Sequence, residues 1–477
     1  LADRIVFYGG GGVAPRERLT TWTWDDDGWT AVSSWNGPDG YEESGMTVIP
    51  EQQAILVVGG VNAHSTASEE TWLWDEDGWR QDDLATPPTA TYGFDITYDE
   101  SEGAVLGFGG LPFPIQIPVR DTHRYEGSGA GWDSEDLPGP RARRSAGIAY
   151  SRRLERTLLF GGSIRDAQGV ELDNSLWEFT GSGWSEVSVS PPVPGPREYC
   201  HLAPDENRGV LWLYGGGGIT QELSDLWSFD GAGWTLVSED SPPGRRSAHG
   251  LAYDARRDRL VIFGNGPSTE EVTWEWGDGA WHARQTATRP EPERYVRLVY
   301  DPGREVVFLF GGQSGGPRYD LWAYGADPDQ DGIVGRLDNC QDVVNPGQEN
   351  LDGDPRGDAC DCAASDPNSW AVPPEVEGLA FDAAGERLSW DDLDEAAGPD
   401  TVFDALRGPV EDLPLDESSA AVCLERGLAT PSLVDAAAPP PAVAWWYLVR
   451  GRNSCGAGSY GTATDGTERT NGACDGT

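Results

Sequence analysis

The apolar residues of this chain fall in short unbroken runs, and the runs return at a nearly constant interval. RIVFYGG, AILVVGG, AVLGFGG, RTLLFGG, VLWLYGG, RLVIFGN and VVFLFGG close on Gly10, Gly60, Gly110, Gly162, Gly216, Asn265 and Gly312, in steps of 50, 50, 52, 54, 49 and 47 residues. Runs of this kind predict strands buried on both faces. After most of them come a variable polar stretch, a short aromatic strand, a tight turn and a Trp, as in TWTWDDDGW, TWLWDEDGW, LWEFTGSGW, LWSFDGAGW and TWEWGDGAW. Two Trp in each lie seven residues apart: Trp22 and Trp29, Trp72 and Trp79, Trp177 and Trp184, Trp227 and Trp234, Trp274 and Trp281. The third repeat departs from this, with His123 and a longer turn before Trp132. A further strand precedes the Gly-bearing one, as in SAGIAYS, HGLAYDA and VRLVYDP, so each unit holds four short strands.

Four-stranded units of about 50 residues, with Gly and aromatics at fixed offsets, predict a β-propeller. Glycine suits the end of the second strand, where the chain turns sharply and backbones approach closely. The Gly pair after an apolar strand, followed by two aromatics separated by six residues, resembles the kelch repeat over roughly residues 1–325. Seven recurrences imply seven blades. The innermost strand and the Trp strand each occur only six times. Kelch rings commonly close by pairing strands from both termini, so the missing pieces are expected upstream of Leu1. The expected fold class is all-β: a seven-bladed kelch-type β-propeller truncated at its N-terminus, an irregular calcium-binding linker and a small β-sandwich. The repeated Trp are expected in the core. The variable stretches Leu111–Arg120, Ser163–Asp173 and Gly217–Glu222 are the expected recognition face, because loops on a rigid scaffold carry binding specificity.

From residue 326 to 362 the composition turns acidic, with almost no aromatics and too little apolar surface for a core. DPDQDGIVGRLD places Asp327, Asp329, Asp331 and Asp338 at positions 1, 3, 5 and 12 of a loop, with Gly332 at 6. That is the oxygen spacing of an EF-hand-like calcium loop, with Asp instead of Glu at 12. NLDGDPRGDACD offers Asn350, Asp352, Asp354, Asp358 and Asp361 at 1, 3, 5, 9 and 12. Hard oxygen donors without His or thiolate favour Ca²⁺ over Zn²⁺ or copper. A solvated acidic linker would explain the charge, but not this register together with two Cys. The phrases DNC, NPGQ and GDACD resemble the thrombospondin type 3 repeat, which implies Asp side chains wrapped around calcium and a Cys340–Cys360 disulfide. Pro355 and Arg356 depart from that family's Asp-Gly pattern.

Residues 372–477 read as short strands again, in VEGLAF, ERLSW, TVFDALRG, WWYLVRGRN and GSYGTATDG. About seven strands in about 100 residues predict a sandwich. Leu388 and Trp390, Phe403, and the run Tyr447–Asn453 resemble a fibronectin type III module. Of seven Cys, Cys200 stands alone in the propeller, expected as a small buried residue. The other six allow fifteen pairings. Beyond the pair implied by the thrombospondin resemblance, Cys362, Cys423, Cys455 and Cys474 are expected to form two bonds of open connectivity. Cys clustered in an acidic chain suggest an oxidising compartment.

The chain carries 80 acids against 34 bases, all of them Arg, for a formal charge of −46. Such a surface argues against nucleic acid and against a polybasic membrane contact, and no apolar run is long enough to span a bilayer. Some kelch propellers are enzymes resembling galactose oxidase, which needs two His, an axial Tyr and a Tyr joined to a Cys. The five His are His64, His123, His201, His249 and His282. Tyr199 and Cys200 are strand neighbours pointing to opposite faces, so they cannot join. His201 and His249, shortly after Arg197 and Arg246, fall in the region that opens many kelch repeats, which implies a structural role. No catalytic residue is assigned. The expectation is a bacterial calcium-binding protein, secreted or on the cell surface, whose propeller face binds a protein or glycan beside a calcium-stiffened spacer. The alternative is an extracellular carbohydrate- or alcohol-active enzyme of the copper radical oxidase kind.

Overall fold

The computed structural model describes residues 5–8, 21–25, 28–33, 37–38 and 41–475, except 63–64, 76–77, 116, 128, 167–168, 267–272, 285–289, 291–293, 314–317, 319–320, 384, 413–420, 438, 442, 463–467 and 470–471. The chain divides into two compact units, Leu1–Ala326 and Asp327–Thr477.

The first unit is a β-propeller. Each blade is an antiparallel sheet in chain order, such as Gly45–Ile49, Ala54–Val58, Thr71–Asp75 and Gly78–Gln81. Six of the apolar runs form second strands, and Ala54–Val58, Ala104–Phe108 and Val306–Phe310 are buried at every residue, as expected. The inner strands Gly45–Ile49, Ile96–Asp99, Gly147–Ser151, Leu202–Asp205, Gly250–Asp254 and Arg297–Asp301 each pack beside the next, and the last packs beside the first. Threonines tie neighbouring inner strands together, the Tyr98 N–H donating to Thr47 Oγ1 at 3.1 Å and the Tyr150 N–H to Thr97 Oγ1 at 2.9 Å.

The described ring thus holds six blades, one fewer than the seven repeats predict. All seven Gly-bearing strands are present, but the first, Ile5–Tyr8, pairs only with Thr21–Asp25 and, through it, Gly28–Ser33 in a three-stranded sheet. That sheet is not among the six inner strands that pack one beside the next around the axis. The seam uses the same contact as four of the other joints. Gly60, Gly110, Gly162 and Gly216 donate their N–H to the carbonyls of Thr91, Arg143, Arg197 and Arg246 on the next blade, and Gly312 donates to Tyr41.

Arginine completes this staple. Arg143, Arg197 and Arg246 are fully buried, and their Nη1 groups donate to the carbonyls of Gly161, Gly215 and Gly264 at 2.8, 2.7 and 3.2 Å. One residue therefore holds the Gly pair of its own blade by its side chain and that of the preceding blade by its carbonyl. Gly109 shows why the pair is glycine: its φ is +72°, and a Cβ there would lie 2.2 Å from the Arg143 carbonyl oxygen. The Trp residues pack as expected. Trp79, Trp184, Trp234 and Trp281 meet Phe310, Phe108, Phe160 and Tyr214 of the preceding blade, with ring centroids 5.2–5.5 Å apart. Burial of such aromatic payloads between sheets holds neighbouring blades together.

In the second unit two antiparallel sheets form the expected sandwich. One is Ala380–Phe381, Arg387–Ser389 and Ser432–Val434; the other runs Val422–Leu428, Val402–Pro409, Trp445–Asn453 and Gly456–Ala457. Leu388, Trp390, Phe403 and Val449 share its core. Cys362–Cys455 joins the acidic segment covalently to this sandwich, and Cys423–Cys474 braces its edge. These are the two pairings the sequence left open. Part of the GSYGTATDG stretch lies outside the described residues.

Candidate functional site

The acidic loops fold around their own carboxylates. In the first, Asp327 accepts the N–H groups of Gln330 and Gly332, Asp329 that of Asp331, and Asp331 those of Ile333 and Asn345. These Asx turns are what a run of Asp and Gly favours without a hydrophobic core. Asp327, Asp329 and Asp331 bring one carboxylate oxygen each within 4.8 Å of one another. Asp338 holds the Cys340 N–H and the Gln348 amide on Oδ1, while its buried Oδ2 has no hydrogen-bond partner.

The second loop repeats the scheme. Asp352, Asp354 and Asp361 converge within the same 4.8 Å limit. Each accepts one backbone N–H on Oδ1, from Asp354, Arg356 and Ala363 respectively, and each keeps a buried Oδ2 without a partner. Asp329 Oδ2 is in the same condition. Asp358 and Asn350 serve the loop itself: Asp358 accepts the Leu351 N–H, and Asn350 bridges the Gly353 N–H and the Asp354 carbonyl. Burial raises the Asp354 carboxyl pKa, and its neighbours Asp352 and Asp361 push it further. Buried carboxylate oxygens without donors are costly, and an all-oxygen set suits a hard cation such as Ca²⁺. Cys340 and Cys360 are bonded, with Cα atoms 5.6 Å apart, and fasten the two loops to each other. A third cluster, Asp361 with Cys362 and Cys455, has its sulfurs committed to a disulfide.

The propeller has two features on its axis that the sequence did not disclose. Glu43, Gly93, Ser145, Tyr199, Ala248 and Tyr295 occupy equivalent places before the six inner strands, all left-handed with φ between 49° and 67°. Each of the last five donates its N–H to the carbonyl of the one before, at 2.6–3.1 Å, forming a collar around the axis. Strain at five non-glycine positions persists because neighbouring blades over-determine it. The collar lies at the end where second strands run out into the variable loops, so its side chains share a face with the expected recognition stretches. There the Tyr199 hydroxyl donates to Glu43 Oε1 at 3.3 Å and accepts from Arg144 at 3.0 Å, beside the Tyr295 ring. Glu43 is half-buried, burial of its carboxyl pushes the pKa up, and its Oε2 has no hydrogen-bond partner among the described residues.

Two residues beyond each collar position, at or just before the start of the inner strand, the residue alternates around the ring: Gly45, Asp95, Gly147, His201, Gly250, Arg297. The three large side chains meet on the axis. His201 Nδ1 lies 3.0 Å from Asp95 Oδ2, and Arg297 Nη1 lies 2.9 Å from His201 Nε2. Burial would raise the Asp95 carboxyl, but Arg297 and His201 outweigh it and hold it low, whereas burial and then Arg297 depress His201. Neutral His201 with Nδ1–H donating to Asp95 satisfies all three groups. A Cβ on Gly250 would come 1.9 Å from Leu298 Cδ1, so a larger residue there would displace that side chain.

The remaining histidines are dispersed. His123 bonds Gly109 and Ser134, His249 is buried 6.2 Å from His201 with no hydrogen bond to either ring nitrogen, and His282 lies on an outer strand. His64 lies outside the described residues. No described metal-capable cluster contains His. Cys200 is a buried free thiol, and burial pushes its pKa up to about 11. Tyr199 turns to Glu43 while the Cys200 thiol lies toward the Phe160 carbonyl, so these neighbours do not meet.

No protein-family profile matches the chain, and no curated protein matches it. Among solved structures, one titled "Structure of YjhT" is similar to it with a TM-score of 0.47 and 12% identity, covering 60% of this chain and 95% of that one. No described helix is long and apolar enough to cross a membrane.

Proposed function

We propose that the chain is a calcium-binding protein, secreted or displayed on a cell surface, whose kelch-like propeller binds a protein or glycan ligand on its variable-loop face. The observation that carries the calcium reading is the set of buried carboxylate oxygens without hydrogen-bond partners on Asp329, Asp338, Asp352, Asp354 and Asp361. Ca²⁺ would supply the charge these oxygens lack and hold each loop closed, in the manner of a thrombospondin type 3 repeat. Asp327 and Asp331 would complete the first set, whereas Asp358 and Asn350 would shape the second loop rather than ligate. Three disulfides in the second unit fit an oxidising compartment. The seven strands of the sandwich, split three and four between its sheets, are compatible with a fibronectin type III-like module.

The binding face is supported by convergence. Glu43, Arg144, Tyr199 and Tyr295 come from four different blades to one mouth, where carboxylate, guanidinium and aromatic surfaces meet. Such a mixture suits polar, hydroxyl-rich or peptide ligands. Calcium titration of the full chain by calorimetry, repeated with Asp329→Asn and Asp354→Asn, tests the first half. Two or more ions bound, with about one lost in each variant, is the expected result. No heat of binding, or binding unchanged in both variants, would overturn it.

A further inference from the structure

The channel beyond the Asp95–His201–Arg297 cluster is a blind pit of about 260 Å³, lined by all six inner strands and closed at its inner end by that cluster. Its outer end lies on the face opposite the variable loops, among the hairpins that join first to second strands. Four of the six equivalent inner-strand positions there carry Tyr98, Tyr150, Tyr253 and Tyr300. Each hydroxyl is already engaged by the hairpin of the preceding blade: Tyr98 by Glu51, Tyr150 by Ser101, Tyr253 by Asn207 and Arg208, and Tyr300 by the Arg256 N–H. With the hydroxyls engaged, Tyr98, Tyr150 and Tyr300 remain half-buried along the wall, whereas Tyr253 is buried against the neighbouring blade.

The other polar groups are equally committed. Thr47 and Thr97 accept inner-strand N–H groups, Arg152 is paired with Glu100, and Arg297 is held in the axial cluster. Carboxylates outnumber guanidiniums along the wall, with Asp95, Glu100 and Glu206 against Arg152 and Arg297. A chain of formal charge −46 strengthens the negative potential in such a low-dielectric cleft. An anion is repelled, no metal-capable cluster among the described residues lies along this wall, and a primary ammonium would compete with the donors that Glu100 and Glu206 already hold. A cation that needs no hydrogen bonds meets none of these costs.

We infer that this pit binds a small quaternary ammonium compound, its methyl groups against the tyrosine rings and its charge balanced by the acidic wall. Aromatic faces attract such cations strongly once water is excluded. The volume lies below the roughly 300–1,000 Å³ typical of drug-sized ligands, which sets the scale at choline-like molecules.

Choline and its uncharged carbon isostere, 3,3-dimethylbutan-1-ol, can be titrated against the calcium-loaded full chain. Choline is expected to bind one to one and at least about tenfold more tightly than the isostere. Tyr150→Leu should weaken choline by about tenfold or more, with Tyr150→Phe keeping the affinity because only the ring is used. No choline binding, equal affinity for the isostere, or a folded Tyr150→Leu chain that binds as wild type would overturn the inference. The isostere comparison needs no variant, so it stands even if the Leu substitution unfolds the blade. Because the pit and the variable-loop face lie at opposite ends of the channel, failure here leaves the proposed ligand face untouched.

Discussion

Arg197 and Asp225 meet in a two-pronged pair, Nη1 to Oδ1 and Nη2 to Oδ2, both at 2.8 Å, with the arginine side chain wholly removed from water. The same Nη1 also holds the Gly215 carbonyl. Arg197→Met would leave a largely buried carboxylate without its cation, held only by the Trp227 indole N–H, and take the guanidinium from the Gly215 carbonyl, so it should cost about 3–5 kcal/mol in urea denaturation. Arg80, paired with Asp75 at the surface, should lose less than about 1 kcal/mol in the same test. Equal losses at the two sites would refute the staple.

Gly109 and Gly103 separate two reasons for glycine. Both have positive φ, +72° and +61°, but only Gly109 faces a backbone oxygen at 2.2 Å, while nothing lies within 4 Å of a Cβ on Gly103. Gly103→Ala should cost about 1–2 kcal/mol for the left-handed conformation alone. Gly109→Ala should cost clearly more, because the blade carrying Arg143 must move to make room. Thermal unfolding of the two variants decides it.

Acid should weaken the propeller before it touches most carboxylates. Burial lowers the pKa of His123, of His201 together with Arg297, and of His249 together with His201 and Arg246. The unfolded chain takes up these protons near pH 6.5, and the folded chain resists them. The associated stability is therefore complete above about pH 6.5 and falls below it, by up to about 1.4 kcal/mol per pH unit for each His. Glu43, whose pKa is raised, works in the opposite direction nearer its own range. His249→Leu removes two ring nitrogens without partners and should flatten the slope by about one proton. An unchanged slope in urea titrations from pH 7.5 to 5.5 would count against this.

Reduction should divide the molecule. All three disulfides lie in the second unit, closing sequence separations of 20, 93 and 51 residues. Bonds over such loops contribute about 3–5 kcal/mol each. Scanning calorimetry with reductant should shift that unit's transition down by many degrees and leave the propeller's in place. Cys200, buried with a raised thiol pKa, should resist alkylation until the propeller unfolds.

Much of this architecture could be read from residue order. Strand pairing and the Trp joints follow from local periods, because every contact is with the neighbouring repeat. The loop carboxylates were legible for the same reason, all lying within a few positions of each other. The axial cluster was not, because Asp95 and His201 are separated by 106 residues. Its signal was available only by stacking GMTV, DITY, GIAY, HLAP, GLAY and RLVY, where the first column alternates between Gly and a charged or titratable residue. The blade count went astray because the Gly-bearing strand was counted, whereas ring closure is decided by the inner strand. The sandwich disulfides depended on middle strands whose pattern carries no clear register.

That alternating column also bears on how such a protein could be rebuilt. The backbone repeats six times around the axis, but the axial side chains come in three large and three absent. A consensus blade copied six times would have to choose one residue for this place. Six glycines would leave an open tube with no floor, and six charged residues would not fit. The smallest unit that can be copied faithfully is a pair of blades, and even that would replace a neutral trio of acid, base and imidazole with three like groups.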